Sequence, residues 1–202
     1  MLENEIQSRG MKRRLVGREG VIGRWALVTG GLLALCLVGP AQAKVFLSKA
    51  GALEAVFPGA SVEQVNLYLS DADEAAIATA AGEPWPTRLA NMYVGRAGEA
   101  IVGYAFIDTH QVRSLNETLM VVLSPEGEVK QVVVLAFHEP EEYLASPRWL
   151  MQFVGRALDA SLKVQSGVDG LSGATLTARA VTASVRRVLG LYGRKVATAK
   201  AN

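Results

Sequence analysis

The sequence predicts an α+β domain with a mainly antiparallel sheet flanked by helices, preceded by an N-terminal signal or anchor segment. Two observations support this fold. Four strand-like segments follow one another as two hairpins, and apolar residues at helical spacing lie on either side of them in the chain. Before all of these, an uncharged run over residues 25–43 follows a cluster of basic residues.

The N-terminal residues 1–43 are predicted to direct export rather than to fold. A basic stretch precedes an apolar core over residues 26–38, whose length fits the about 7–15 residues of a signal peptide, and residues 41–43 read Ala-Gln-Ala, a cleavage pattern. The alternative is an uncleaved membrane anchor, since a span needs about 20 apolar residues. Both interpretations place the folded part in the periplasm or another extracytoplasmic space, tethered to the inner membrane in the second case.

Length and composition exclude several classes of protein. The chain has 202 residues, of which 50% are hydrophobic, so it can bury a core without disulfides. Its net charge of +2 gives no indication of a nucleic-acid partner. The single cysteine, Cys36, excludes a disulfide or a multi-cysteine metal site within one chain, and we expect no metal site.

Residues 44–90 are predicted to form an arm of helices and one strand that packs against the main domain. A helix is expected over residues 49–57, because its apolar residues have helical spacing and Pro-Gly follows. Alternating residues predict a strand over residues 62–69. An alanine-rich stretch with acidic residues in its first turn predicts a helix over residues 71–81.

Residues 91–193 form the main predicted domain. Its strands are expected over residues 91–96, 100–109, 119–123 and 129–137. The continuous apolar run 132–135 predicts a strand covered on both faces of the sheet.

Two helices are expected after the strands. Apolar residues at helical spacing predict the first over residues 148–158, opened by Ser-Pro. The second is predicted over residues 177–191, with Gly190 and Gly193 as its candidate ends. Residues 194–202 are expected to form a frayed basic tail.

The most informative stretch is Asp-Gly-Leu-Ser-Gly-Ala-Thr at residues 169–175, just before the second helix. Gly173 and Ala174 are small, so a bulky phosphate can approach the backbone, and Gly173 can adopt a positive φ. Ser172 can cap the helix or bond the phosphate. A phosphate held there lies close to the free N–H groups of the helix start. Thr177 and Arg179 are near enough to assist.

This motif, Asp-x-x-(Ser/Thr)-Gly-Ala-(Thr/Ser), resembles that of the FMN-binding domain family, whose members include the covalently flavinylated RnfG- and NqrC-type subunits. The resemblance extends over about residues 91–191 and includes the pair Gly103-Tyr104. It implies that Thr175 carries FMN through a phosphoester, that a magnesium-dependent flavin transferase with FAD as donor attaches it, and that Asp169 contacts this transferase. It also implies electron transfer with a membrane or periplasmic redox protein.

The segment that follows the last strand differs from that of the family. Membrane-complex members carry Glu-Thr-Pro-Gly where this chain has His-Glu-Pro-Glu-Glu-Tyr at residues 138–143. We expect His138, Glu139 and Tyr143 to lie beside the flavin, where they can tune its potential or relay protons. The other histidine, His110, is expected at the surface.

Three functions remain open from the sequence. The first is an exported flavoprotein that carries electrons between a membrane redox complex and an extracytoplasmic partner, rather than a stand-alone enzyme. The second is a flavin-dependent reductase with its own small substrate, and the third is a non-redox binding module whose motif is only a helix cap. The sequence contains no P-loop, dinucleotide fingerprint or nucleophile–base pattern, which argues against kinases and hydrolases.

Overall fold

A six-stranded antiparallel sheet organises residues 44–201, the part of the chain that the structure, a computed structural model, describes. The strand order is β1-β6-β5-β4-β3-β2. The strands are β1 (Lys44–Val45), β2 (Ser61–Tyr68), β3 (Leu89–Ala97), β4 (Ala100–Gln111), β5 (Asn116–Leu123) and β6 (Val129–Phe137). The antiparallel sheet predicted from the sequence is therefore confirmed, whereas the predicted signal or anchor segment, residues 1–43, lies outside the described residues.

Helices flank this sheet, as predicted. They are α1 (Lys49–Val56), α2 (Asp71–Ala81), α3 (Pro147–Leu150), α4 (Thr175–Tyr192) and α5 (Thr198–Ala201), with 3₁₀ turns at Glu141–Tyr143 and Met151–Phe153 and a π-helical segment at Gly193–Ala197. Within residues 44–201, none of these helices is both long and apolar enough to span a bilayer.

The two faces of the sheet bury separate apolar clusters. On one face, Leu53 and the following Phe57 belong to a cluster with strand residues such as Met120. On the other face, α2 and α4 contribute to a larger cluster. The apolar run of β6 contributes to both, since Val132 lies in the larger cluster and Leu135 in the smaller. The apolar run of residues 132–135 predicted a strand covered on both faces of the sheet, and β6 is covered in this way.

The arm is an integral part of the sheet, because β2 pairs along its whole length with β3. Helix α2 begins with a capping box, in which the Ser70 hydroxyl accepts the Asp73 N–H at 3.2 Å and the Asp73 carboxylate accepts the Ser70 N–H at 3.0 Å. It ends at Gly82, whose left-handed backbone has φ +88°.

The C-terminal stretch is helical, which differs from the frayed tail expected over residues 194–202. Arg194 and Lys195 donate to the Asp73 carboxylate at 2.6 and 3.1 Å, and Val196 is buried. Gly190 does not end α4, because the helix continues past it. A Cβ at Gly190 would lie 3.3 Å from the Cβ of Ala81, so this glycine allows α2 and α4 to pack closely.

The helix predicted over residues 148–158 is much shorter than expected. The helical backbone ends at Phe153, after which Val154 is extended and Gly155 has φ +77°. The chain then pairs with the start of β6, where Val129 donates to the Arg156 carbonyl at 2.9 Å and accepts from Gly155 at 2.8 Å. These long-range bonds replace the last turns of the expected helix.

Candidate functional site

A tight turn presents the motif threonine to solvent. The Ala174 N–H donates to the Leu171 carbonyl at 3.0 Å, and Gly173 within this turn has φ +76°, a conformation that glycine adopts without strain. Thr175 follows as the first residue of α4, and its side chain is exposed. The positive φ that the sequence suggested for Gly173 is therefore present.

The N-terminus of α4 is open. The residue at the cap position is Ala174, and no side chain caps the helix, so the cap predicted for Ser172 does not form. The first intrahelical bond runs from the Ala178 N–H to the Ala174 carbonyl at 3.1 Å, which leaves the N–H groups of residues 175–177 without a partner in the helix. The first turn also contains no acidic residue. An anion is therefore favoured at this end of the helix.

The residues of this helix start line a pocket of about 330 Å³. Its lining comes from the β4–β5 turn, the segment after β6 and the start of α4, and consists of Val112, Arg113, Glu139, Tyr143 and residues 173–177. Binding sites for small molecules begin at about 300 Å³. The pocket can thus accept a good part of a nucleotide whose phosphate is held at Thr175.

Glu139 shapes the wall opposite the helix. Its carboxylate accepts backbone N–H groups from Arg113, Ser114 and Leu115 at 3.1, 2.6 and 2.8 Å. Burial raises the pKa of Glu139, but these backbone bonds lower it by more, so the net pKa lies below its ordinary value. Glu139 is therefore ionised, and its three hydrogen bonds hold the β4–β5 turn in place. This turn contributes Arg113 to the lining of the pocket.

Thr177 has a different role from the one expected of it. It is buried, and its hydroxyl donates to the Tyr143 carbonyl at 2.7 Å. This bond fastens α4 to the 3₁₀ turn at Glu141–Tyr143 and fixes the width of the pocket. Its hydroxyl donor is thus engaged, whereas its backbone N–H remains available at the helix start.

Asp169 and Ser172 are exposed and lie outside the pocket lining. The main chain of Asp169 is anchored, because its N–H donates to the Gln152 side chain at 2.7 Å and its carbonyl accepts the Trp149 indole N–H at 3.0 Å. Asp169 thus has a fixed main chain and is exposed to solvent.

His138 is half-buried and is not among the residues that line the pocket. Its backbone N–H donates to the Asn116 carbonyl at 3.0 Å, which extends the β5–β6 pairing by one residue. Of the three residues expected beside a flavin, Glu139 and Tyr143 line the pocket and His138 does not.

A second cluster of charged residues lies next to this pocket, and sequence reasoning missed it. His110 was expected at the surface, but its side chain is only 10% exposed. Its two ring nitrogens lie 3.1 Å from Asp108 and 3.2 Å from Glu117, and both carboxylates are fully buried. The sequence contained a signal for this burial. Asp108 and His110 follow the buried Phe106 at two-residue spacing, so they share its face of β4.

Arg187 of α4 connects this cluster to the helix. It donates to Asp108 at 2.7 Å and to Glu83 at 2.5 Å. A shallow pocket of about 240 Å³ lies over the cluster and shares Val112 and Leu176 with the motif pocket. No group of His, Cys, Asp and Glu residues within the described part of the chain is suited to hold a metal ion.

Comparison with known proteins connects this geometry to a ligand class. Residues 115–190 match the model of the FMN-binding domain family, a span that begins at β5 and includes Glu139, Tyr143 and Thr175. The solved structure of Shewanella oneidensis NqrC is similar, with 17% identity, 77% of this chain and 91% of that chain covered, and a TM-score of 0.49. The search of curated proteins gave no match. The family match confirms, over residues 115–190, the resemblance to the FMN-binding domain family.

Proposed function

We propose that the protein is an exported electron carrier that holds FMN through a phosphoester on Thr175. It passes electrons between a membrane redox complex and an extracytoplasmic redox partner. The cofactor supplies the redox chemistry when bound, and the chain supplies its position and electrostatic surroundings.

The position of the Thr175 hydroxyl carries this proposal. Thr175 is exposed, lines the pocket and stands at the uncapped end of an 18-residue helix. The neighbouring hydroxyl groups lack this combination, because Thr177 is buried and bonded to Tyr143, and Ser172 does not line the pocket. Of the three, only Thr175 is placed to receive a phosphate from solvent and keep it in the pocket.

The surroundings suit the negative charge of a phosphodiester. Free N–H groups of the first helical turn face the site, and Arg113 lines the pocket. In the proposed attachment, the Thr175 oxygen forms the new bond to phosphorus, AMP leaves from the FAD donor, and the hydroxyl proton passes to solvent. A magnesium-dependent flavin transferase is proposed to catalyse this step, with Asp169 exposed for contact.

The pocket lining favours a carrier over a reductase. A reductase needs a proton donor beside its bound substrate. Of the pocket residues that the structure describes, Glu139 is ionised and held by three N–H groups, and His138 does not line the pocket. The Arg113 guanidinium stays protonated, so Tyr143 is the one remaining candidate donor among the described lining residues. A covalent link, in turn, keeps the cofactor from being lost outside the cytoplasm.

The attachment site can be tested on protein purified from its host. We expect the intact mass of the protein to include one FMN less one water, and the band to remain fluorescent after denaturation in a gel. Thr175→Ala is expected to abolish both signals, whereas Ser172→Ala, a matched hydroxyl deletion outside the pocket, is expected to retain them. Flavin on the Thr175→Ala protein, or on any other peptide, contradicts the proposal.

A further inference from the structure

Within residues 44–201, the outer side of β6 is paired near both of its ends but not in between. The two residues of β1 pair only with the end of β6, and Phe46 adds one bond to Leu135 at 2.9 Å. At the start of β6, Val129 is paired with Gly155 and Arg156. Between these ends, no described residue bonds to the outer side of residues 131–134.

The backbone of this stretch is therefore ready to pair. Successive residues of an antiparallel strand direct their N–H and C=O groups to opposite sides. Two of the four residues 131–134 must thus present both groups to the open side. An unpaired strand edge of this kind is a template for addition of another strand.

The open stretch forms one wall of an apolar groove of about 560 Å³, here called the edge groove. Its other walls include Phe46 on one side, and Leu150, Met151 and Val154 on the other. Of these side chains, Met151 and Val154 are exposed although apolar, at 69% and 49%. Apolar surface gathered around free backbone groups is typical of a binding site for an extended peptide.

The charge of the groove selects among occupants. Among the described residues that line it, Arg148 is the one that carries a charge, and none is acidic. A second copy that paired through the same edge would bring another Arg148 to a groove without a carboxylate. A segment with its own carboxylate would instead pair with Arg148 at the groove wall.

We infer that the edge groove binds an extended segment of another protein, which adds a short strand beside residues 131–134. The segment has apolar side chains at alternate positions and an aspartate, a glutamate or a C-terminal carboxylate opposite Arg148. This docking uses no residue of the motif pocket, so it goes beyond the proposed function and does not depend on bound flavin.

Photo-cross-linking of the full chain in its host tests this inference. A benzophenone amino acid replaces Met151 at the groove, and in a control chain it replaces Tyr68, which is 73% exposed on the opposite edge strand β2. We expect the Met151 position, but not the Tyr68 position, to give one product with another polypeptide. Mass spectrometry of the product is expected to map the attachment to an alternating apolar stretch with a carboxylate nearby.

Charge reversal supplies the second readout. Arg148→Glu is expected to lower the yield of this product by about fivefold or more, whereas Lys163→Glu, an exposed lysine outside the groove lining, is expected to leave it unchanged. Absence of a product, products with lipid or with a second copy only, or an unchanged yield in Arg148→Glu each overturns the inference. The product is expected to persist in Thr175→Ala, which separates this test from that of the proposed function.

Discussion

At the residue scale, His110 joins elements that are distant in the sequence. It contacts Asp108 on its own strand β4 and Glu117 on β5, while Asp108 also accepts from Arg187 of the motif helix. A protonated His110 leaves these four groups with no net charge, whereas its neutral form leaves one uncompensated negative charge in the interior. The protonation of His110 therefore determines whether the charges balance in the cluster that joins the sheet to α4.

The pKa values of the cluster give the direction of its pH dependence. Burial lowers the pKa of His110, but the two carboxylates raise it by more, so the net pKa lies above its ordinary value of 6.5. For Asp108, burial raises the pKa, and the contacts with His110 and Arg187 lower it to about 2. The cluster is thus fully stabilising between the ordinary pKa values of the two groups.

The first prediction concerns His110→Gln. The substitution leaves the buried Glu117 carboxylate without a cation and leaves Asp108 with Arg187 alone, so we expect it to lower the free energy of unfolding by about 3 kcal/mol at about pH 6. The loss is expected to shrink as the pH rises through the raised pKa of His110, because the wild-type imidazole then becomes neutral as well. Urea unfolding at about pH 6 and pH 9 measures both values.

His138→Gln is the matched control for this experiment, since His138 is the other histidine of the chain. We expect it to show no comparable pH-dependent loss. A loss for His110→Gln that is equal at both pH values argues against the charge-balance explanation and leaves only a packing role.

The sequence could identify Thr175 because the motif is local. Gly173, Ala174 and Thr175 are consecutive, and the turn and helix start that they form depend on neighbouring residues. The roles of Thr177 and Glu139 could not be predicted in the same way. Their partners are 34 and 24–26 residues away in the chain, and only the fold brings them together.

At the element scale, two glycines at the C-terminal end of α4 have opposite environments: Gly190 lies within the helix and Gly193 directly follows it. A Cβ at Gly190 would lie 3.3 Å from Ala81 and 3.6 Å from Ile77, whereas a Cβ at Gly193 would meet nothing within 4 Å. Gly193 has an ordinary helical backbone, with φ −56°. The two positions therefore separate the effect of helix packing from that of helix propensity.

The second prediction uses the same substitution at both positions. Gly190→Leu is expected to lower the free energy of unfolding by about 1–3 kcal/mol, because the added side chain has to force α2 away from α4. Gly193→Leu is expected to leave it unchanged or to raise it by up to about 1 kcal/mol, since leucine has the higher helix propensity. Thermal and urea unfolding measure the difference, and equal effects contradict the close packing of the two helices.

Secondary structure was predictable where local and tertiary preferences agree. The helix over residues 71–81 has its cap, acidic first turn and terminal glycine in the sequence itself. The stretch 148–158 has an equally helical apolar pattern, yet its second half pairs with Val129. That pairing depends on where β6 lies relative to this segment, which no local pattern contains.

At the scale of the whole molecule, the motif pocket and the edge groove meet at one short segment. Tyr143 lines the pocket, and the next two residues, Leu144 and Ala145, line the groove. A polypeptide in the groove would thus lie beside the wall of the proposed flavin site. This arrangement suits a carrier that meets its partner close to the cofactor.

The C-terminal residues 193–201 follow α4 and contact helix α2 of the arm. They supply two cations to Asp73 of α2, and Val196 is buried at 8% exposure. The Ser70 N–H lowers the pKa of Asp73 most, Arg194 lowers it further, and burial opposes both. Asp73 thus remains ionised, and keeps its capping-box bonds with Ser70, even when the two cations are removed. Truncation therefore tests the loss of apolar packing as well as the loss of the two ion pairs.

The last prediction is that deletion of residues 193–202 weakens folding without loss of the flavin. Removal of Val196 and of the two ion pairs is expected to cost about 3 kcal/mol of unfolding free energy, mostly from lost apolar burial. Thr175 lies at the far end of α4, about 25 Å from Tyr192 at 1.5 Å per residue, so flavin attachment is expected to persist. Urea unfolding and flavin fluorescence in a denaturing gel measure the two effects.

If the deletion prevents folding, Val196→Ala offers a milder form of the test, with an expected cost of about 2 kcal/mol. Unchanged stability in either variant, or flavin lost from a folded one, contradicts this separation of the two ends of the helix.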